Sequence, residues 1–382
     1  MASHGGNATG TVVDLFSGCG GLSLGAELAH FRSLVAVDID STLQSSYRRN
    51  FPRTTTLEAN VADIDGSAWR RLLGDVRPDG VIGGPPCQGF SFIGRRKKDD
   101  PRNSMIGQFF RHVDLLRPRF FVMENVEGLL HGDNAQVLWA ALEGLPPCYR
   151  VLDPIAVNAA HFGAATTRTR VAVIGFDPEA MEHLTAEMFA PGPPASLATV
   201  RDAISDLPNP IPETKANDLG WVNYPPRASA SLPDYARLLR APAPTGLGSP
   251  EANARHAAGA VSGMVATRHS REIVRRYASI RGGRSDPITK SYRLEWAGQS
   301  PTLRAGTGLD KGAFQAVRPL HPGKGRVITV REAARLQGFP DWFTFHHTKW
   351  HSFRMIGNSV SPFVGRGLLA RIAARLQLPL AA

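Results

Sequence analysis

The chain has 382 residues, 42% of them hydrophobic and 20% charged, so it holds enough apolar material for a packed core and is not a disordered chain. Its three cysteines build neither a disulfide framework nor a Cys-x-x-Cys pair, no metal site is expected, and no apolar run approaches the roughly 20 residues of a membrane span. A formal charge of +11 favours a polyanionic partner, and with no secretory pattern the expectation is a soluble, cytoplasmic protein with reduced thiols.

After a loose leader, "TGTVVDLFSG" reads as a strand entering a Gly-rich turn, and "GLSLGAELAH" continues as a helix. "SLVAVDID" is the next strand, followed by the helix "STLQSSYRRNF". "DGVIGGPPC" is a strand ending in a stiff elbow, "NSMIGQFFRHVDLLRP" is helical, and "RFFVMENV" is again a strand. "YRVLDPIAVNA" and "RTRVAVIGF" close the series as a pair of strands. This alternation predicts an α/β fold, a doubly wound and mostly parallel sheet whose ligands sit at the C-terminal ends of the strands. Beyond Phe176 the chain turns Pro-rich and irregular, then carries an arginine cluster, "RHSREIVRRYASIRGGRSD". Helical order returns at "VREAARLQGF" and ends in the amphipathic helix "SPFVGRGLLARIAARLQ".

Chemistry gathers at the strand ends. The glycines of "DLFSGCGGLSLG", Gly18, Gly20 and Gly21 among them, let backbone N–H groups approach a ligand at a helix N-terminus. Asp38 ends the second strand, where a carboxylate accepts from ribose hydroxyls. Cys87 follows two prolines and precedes Gln88 and a flexible Gly, in a basic neighbourhood that favours ionisation, so it reads as a nucleophile. Glu124 closes the neighbouring strand, and Arg168 and Arg170 alternate, which on a strand points both side chains to one face.

Taken in order, "DLFSGCGG", "VDID", "GGPPCQGFS", "DPRNSM", "ENVEGLL", "RTR", "VREAARLQGFPD" and "IGNSVSP" resemble the cytosine-C5 DNA methyltransferases, with only the Pro-rich middle unmatched. The resemblance implies a class I S-adenosylmethionine-dependent methyltransferase fold. Residues 1–10 form a leader, 11–185 a catalytic domain, 186–325 a smaller irregular target recognition domain, and 326–382 a segment returning to the catalytic domain. It implies that S-adenosylmethionine is the cofactor, left as S-adenosylhomocysteine, and that Phe16, Gly18, Cys19, Gly20, Gly21, Asp38, Ile39, Asn60, Pro86, Met105, Asn358 and Val360 surround it. Asp63 competes with Asn60 for its place. Cys87 would add to C6 of a flipped-out cytosine, Glu124 would serve N3, Arg170 O2, and Arg168 would brace the site.

The long basic loop after Cys87 would close over duplex DNA through Gln88, Ser91, Arg95, Arg96, Lys97 and Lys98. In the middle region Arg268, Arg271, Arg275, Arg276, Arg281 and Arg284 fit the profile of base or phosphate contacts. The chain would act as a monomer near the bacterial nucleoid, with a cognate restriction endonuclease as its companion. Thr166 stands where the family carries Gln, so a compensating hydrogen bond from Thr166 is expected. Two other readings are weaker: the tRNA-methylating branch, whose "CFT" stretch is not evident, and a non-catalytic DNA binder, against which Cys87, Glu124 and both arginines argue. A nicotinamide oxidoreductase fails for want of G-x-G-x-x-G.

Overall fold

The computed structural model describes residues 10–86, 105–190, 196–213, 219–225, 231–304 and 318–376. The β-branched run of β1 (Gly10–Leu15) is fully buried at all but one position, and it leads through the glycine turn into α1 (Gly21–Leu28). β2 (Phe31–Asp38) runs parallel to β1, and α2 (Ser41–Asn50) is started by Asp40, whose carboxylate accepts from the Leu43 amide at 3.1 Å. β3 (Thr55–Glu58), α3 (Gly66–Leu73), β4 (Gly80–Gly83), α4 (Met105–Leu116), β5 (Phe120–Asn125) and α5 (Gly132–Glu143) continue the alternation. β6 (Arg150–Val151), β7 (Ile155–Asn158) and β8 (Thr169–Phe176) then complete an eight-stranded sheet of order β3-β2-β1-β4-β5-β8-β6, with β7 also on β8.

The expected doubly wound sheet is therefore present: β1 to β5 are mutually parallel, and β8 returns antiparallel beside β5. The strand order reverses between β1 and β4, because the chain first winds outward to β3 and then comes back. A crevice opens at such a reversal, outside the C-terminal ends of the strands. The glycine turn leaves β1 there, and the Pro-Pro elbow leaves β4.

The middle region contains α6 (Val200–Ile204), β9 (Val222–Asn223), α7 (Asp234–Leu239), α8 (Pro250–Ala257), β10 (Ala260–Val261) and α9 (Arg271–Ser279). It is not a detached lobe. Val200, Ile204, Leu239, Leu247 and Leu294 share one core with Tyr47 of α2 and Phe51 just past its end, and with Leu336, Phe339 and Phe343 further on. Arg335 on α10 (Val330–Gln337) is fully buried and bridges Asp206 and Asp341, each at 2.7 Å, while Arg240 adds a second cation to Asp206.

After α11 (Lys349–Asn358), α12 (Pro362–Ala373) lies against α1 so closely that a Cβ on Gly25 would stand 2.6 Å from the backbone of Gly365 and Arg366. Gly25→Ala would force these helices apart. The apolar face of α12, Val364, Leu368, Leu369 and Ile372, is buried, each side chain contributing about 1.5–3 kcal/mol relative to exposure. The chain's far end is thereby fixed beside its first turn. Among the described residues no helix is long and apolar enough to cross a membrane.

Candidate active site

The glycine turn is built for close approach. Gly18 and Gly20 have φ of 57° and 95°, and Phe16 holds a left-handed φ of 59°, a strained conformation for a bulky residue and one that clusters at functional sites. Asp38 organises the turn: its carboxylate accepts from the amides of Gly18 and of Asp40, both at 2.8 Å. Each carboxylate oxygen keeps a further lone pair for a ligand. Burial pushes the Asp38 carboxyl above its ordinary range, and the two backbone bonds oppose that. Asp40 in turn pairs with Arg354 of α11 at 2.6 Å, so the sheet end is tied to the last part of the chain.

The turn is open on one side. A Cβ on Gly18 would meet nothing within 4 Å, Ile39 is 72% exposed, and Phe16 is half-buried. Asn60 is half-buried at the end of β3 and its Oδ1 caps the next turn at Ala62, 3.0 Å away; the competing Asp63 is exposed. On the other side Gly21 has no space at all: a Cβ there would lie 1.9 Å from Ser359 Oγ and 2.3 Å from the Val360 carbonyl. Asn358 is exposed, Val360 and Cys19 are buried, Pro86 is exposed and Met105 half-buried. Burial pushes the Cys19 thiol up to about 12, which makes it an inert neighbour of the turn and not a nucleophile.

Cys87, Gln88, Ser91, Arg95, Arg96, Lys97 and Lys98 lie outside the described residues. The elbow leading to Cys87 is described as far as Pro86. Asn125, buried at the end of β5, donates its amide to the Pro85 carbonyl at 2.9 Å. One residue earlier, Glu124 stands with Oε2 3.3 Å from the position of a Cβ on Gly84. The carboxyl and the elbow are thus neighbours across the β4–β5 pair.

Arg170 places Nε 3.1 Å from Glu124 Oε1, and both side chains are largely buried. The pair is close but not aligned as a hydrogen bond, so Glu124 Oε1 has no hydrogen-bond partner among the described residues. Burial pushes the Glu124 carboxyl up, while Arg168 and Arg170 pull it down. Arg168 is buried more deeply than Arg170; burial, with the Arg170 charge adding to it, brings its guanidinium down to about 10. Its Nη1 donates to the Gly357 carbonyl at 2.8 Å and to the Leu303 carbonyl at 3.4 Å, whereas its Nε is unpartnered among the described residues.

One expectation needs correction here. Not all motifs lie at C-terminal strand ends: Arg168 precedes β8 and Arg170 sits near its start, and they reach Glu124 because β8 is antiparallel, pairing Ala172 with Glu124 and Val171 with Asn125. The two arginines differ in their partners: Arg168 Nη1 is held by the Gly357 and Leu303 carbonyls, while Arg170 sets Nε against the carboxylate and donates Nη1 to the Thr169 carbonyl at 2.6 Å. Thr166 does make a hydrogen bond in place of the expected Gln, its hydroxyl donating to the Ser300 carbonyl at 2.9 Å.

The arginine cluster separates into roles. Arg268, Arg271, Arg275, Arg281 and Arg284 are exposed, but Arg276 turns inward and pairs with buried Asp286 at 3.1 Å. His347 and His351 do stand at a four-residue spacing that the metal expectation overlooked, yet no group of three or more potential ligands gathers anywhere among the described residues.

Sequence reasoning missed Asn125 and the buried set Asp14, Ser23 and Tyr47 beneath the glycine turn. Ser23 Oγ donates to Asp14 at 2.5 Å and Tyr47 donates to Ser23 Oγ at 2.7 Å. No local pattern marks these contacts, which join residues far apart in the chain.

Comparison with known proteins places the chain in one family. Residues 10–374 match the family model for C-5 cytosine-specific DNA methylases. The type II methyltransferase M.XorII of Xanthomonas oryzae pv. oryzae is 40% identical over 379 residues, covering 96% of this chain and 85% of the relative. M.AgeI of Thalassovita gelatinovora is 29% identical, covering 94% and 98%. A crystal structure described as a prophage-encoded DNA modification methyltransferase from E. coli superimposes with a TM-score of 0.82 at 39% identity, over 95% of this chain and 98% of that one. Dnmt2 of S. pombe, at 16% identity and a TM-score of 0.59, shares the fold; the match covers 94% of this chain and 97% of that one.

Proposed function

Because the chain belongs to the C-5 cytosine-specific DNA methylase family, we propose that it transfers a methyl group from S-adenosylmethionine to C5 of a cytosine flipped out of a short specific duplex sequence, through a transient Cys87–C6 bond. As a member it is a DNA cytosine-5-methyltransferase; the methyl donor, the covalent bond and the residue roles are our reading. The observation that supports it best is the buried Glu124 carboxyl, paired with Arg170 and set against the elbow that leads to Cys87.

The residues at the β1–β4 crevice suit a nucleoside with an amino-acid tail. Asp38 would accept from the ribose, Ile39 and Phe16 would flank the adenine, and the Gly18–Gly21 backbone would hold the methionine end. Asn60, Pro86, Met105, Asn358 and Val360 would complete the pocket. Bound there, S-adenosylmethionine supplies an electrophilic methyl group to C5 and leaves as S-adenosylhomocysteine.

The chain's own part is to make C5 nucleophilic. Cys87 thiolate adds to C6, and the electron pair of the C5–C6 bond moves toward C5 and the N3–O2 system. Glu124, whose carboxyl burial pushes up against the pull of Arg168 and Arg170, gives a proton to N3 at the moment of reaction, while Arg170 opposes the charge developing on O2. Arg168 holds its place from behind by gripping the Gly357 carbonyl. Once C5 carries the methyl group, water or hydroxide removes the C5 proton, the freed pair re-forms the C5–C6 double bond as Cys87 leaves as thiolate, and N3 returns its proton to Glu124, restoring the aromatic ring. The base must leave the stack, because C6 is out of reach within a duplex.

We read the exposed arginines of the middle region, with Gln88, Ser91, Arg95, Arg96, Lys97 and Lys98, as the DNA contacts. We also infer that the chain works as a monomer in the bacterial cytoplasm, beside an endonuclease of the same recognition sequence. Tritiated methyl transfer from S-adenosylmethionine to unmethylated plasmid DNA, compared with transfer to tRNA and followed by bisulfite mapping, tests the reading. Label confined to one short duplex motif is expected, whereas label on tRNA alone, or on neither, would refute it.

A further inference from the structure

Unpartnered buried polar atoms are rare in folded proteins, so each one in a structure calls for a physical reason. Gln337, the last residue of α10, is fully buried, and its Oε1 has no hydrogen-bond partner among the described residues. Its other groups converge on one short segment. Nε2 donates to the Ser359 carbonyl at 3.0 Å, and the Gln337 carbonyl accepts from Ser361 Oγ at 2.8 Å. Exchanging the amide oxygen and nitrogen would set two oxygens face to face, so the neighbours fix the amide's orientation.

The segment gripped in this way, residues 357–361, touches both halves of the site. Its Gly357 carbonyl accepts from Arg168, which stands beside Glu124. Its Ser359 and Val360 occupy all the space above Gly21 in the nucleoside turn. A shift of this segment therefore moves the turn and the arginine together. A side chain kept for packing alone would not leave an amide oxygen unmet in an apolar core, where Met fills a similar volume with no such cost.

We propose that Gln337 is a positioning residue for methyl transfer: by holding Ser359 and Ser361 it fixes the segment that walls the nucleoside pocket and anchors Arg168. This rests on the methyl-transfer reading above and adds the residue that couples its two halves.

The test is Gln337→Met, with S-adenosylhomocysteine binding measured by calorimetry and duplex DNA binding by fluorescence anisotropy. Wild type comes first: failure of wild type to bind S-adenosylhomocysteine would sink the methyl-transfer reading, not the role of Gln337. For the variant, the expected result is a thermal midpoint close to that of wild type, since removing the unmet Oε1 offsets the donor lost by the Ser359 carbonyl, with an unchanged DNA affinity and a Kd for S-adenosylhomocysteine raised about tenfold. Ser361→Ala, which removes the second bond and leaves Gln337 in place, should raise that Kd by a smaller factor. An unchanged Kd in Gln337→Met overturns the proposal, as does a parallel fall of thermal midpoint and both affinities, which marks general loosening. Should Gln337→Met fail to fold, Ser361→Ala decides alone, and an unchanged Kd there overturns the proposal.

Discussion

Asn125 donates its side-chain amide to the Pro85 carbonyl across 2.9 Å, binding the end of one central strand to the elbow that leaves the next. Both groups are buried, so the bond fixes where the chain leaves β4 toward Cys87. Asn125→Ala leaves a buried carbonyl unpaired, at a cost of about 1–3 kcal/mol. The displaced elbow should lower single-turnover methyl transfer about a hundredfold, because small misplacements of a reacting group carry penalties of that order. S-adenosylhomocysteine affinity, measured by calorimetry, should stay within about twofold, since no described hydrogen bond of Asn125 reaches the glycine turn.

Glu124 is the carboxyl expected to give its proton to the pyrimidine. Glu124→Gln keeps the shape and removes the acid, so single-turnover transfer should fall by about 10²–10⁴-fold, the range for a positioned general acid. DNA affinity should hold, because glutamine keeps the shape of the carboxyl and brings no negative charge to the site. Filter-binding beside rapid-quench kinetics separates the two effects, and a variant with near wild-type turnover would remove Glu124 from the chemistry.

Asp14 should make stability depend on pH. Burial pushes its carboxyl from 3.8 up to about 7, with the Ser23 bond opposing the rise. The folded chain therefore keeps a proton that the unfolded chain has already released between these values. The stability this adds is complete below about pH 4 and is lost as the pH rises through about 7. Denaturant titrations at pH 5 and pH 8 should show wild type losing stability relative to Asp14→Asn as the pH increases. A difference between the two that stays constant would show that Asp14 does not titrate in this window.

The middle arginines should divide by function. Arg271 and Arg275 are exposed one helical turn apart on α9, so Arg271→Ala and Arg275→Ala should each reduce the slope of log affinity against log salt by about 0.9 for every phosphate the variant no longer neutralises. Arg276→Ala should instead lower the unfolding midpoint, because buried Asp286 loses its cation. Anisotropy titrations across a salt series and thermal melts give the two readouts.

How far the sequence showed all this depends on the range of each interaction. The β-branched run of β1, its glycine turn and the acid ending β2 are local features, and their placement follows from periodicity and turn chemistry. The antiparallel return of β8 is not local, so Arg168 and Arg170 could be given different roles by resemblance, while the Gly357 and Leu303 carbonyls that hold Arg168 could not be foreseen. Arg331 and Arg335 stand four apart on a helix, the usual mark of a solvated face, yet both are fully buried. Their partners, Asp206 and Ser262 among them, come from stretches the chain reaches only after folding. Gln337 and Asn125 escaped notice for the same reason: each acts on a carbonyl brought to it by tertiary structure.

Covalent capture tests the central claim most directly. A duplex carrying 5-fluorocytosine at the mapped target should, with S-adenosylmethionine present, become irreversibly joined to the wild-type chain, because fluorine at C5 cannot leave as a proton does and Cys87 is not released. Denaturing electrophoresis and peptide mapping should place the bond on Cys87, and Cys87→Ser should form no such complex. Equal capture by Cys87→Ser, or a bond mapped to another residue, would contradict the account.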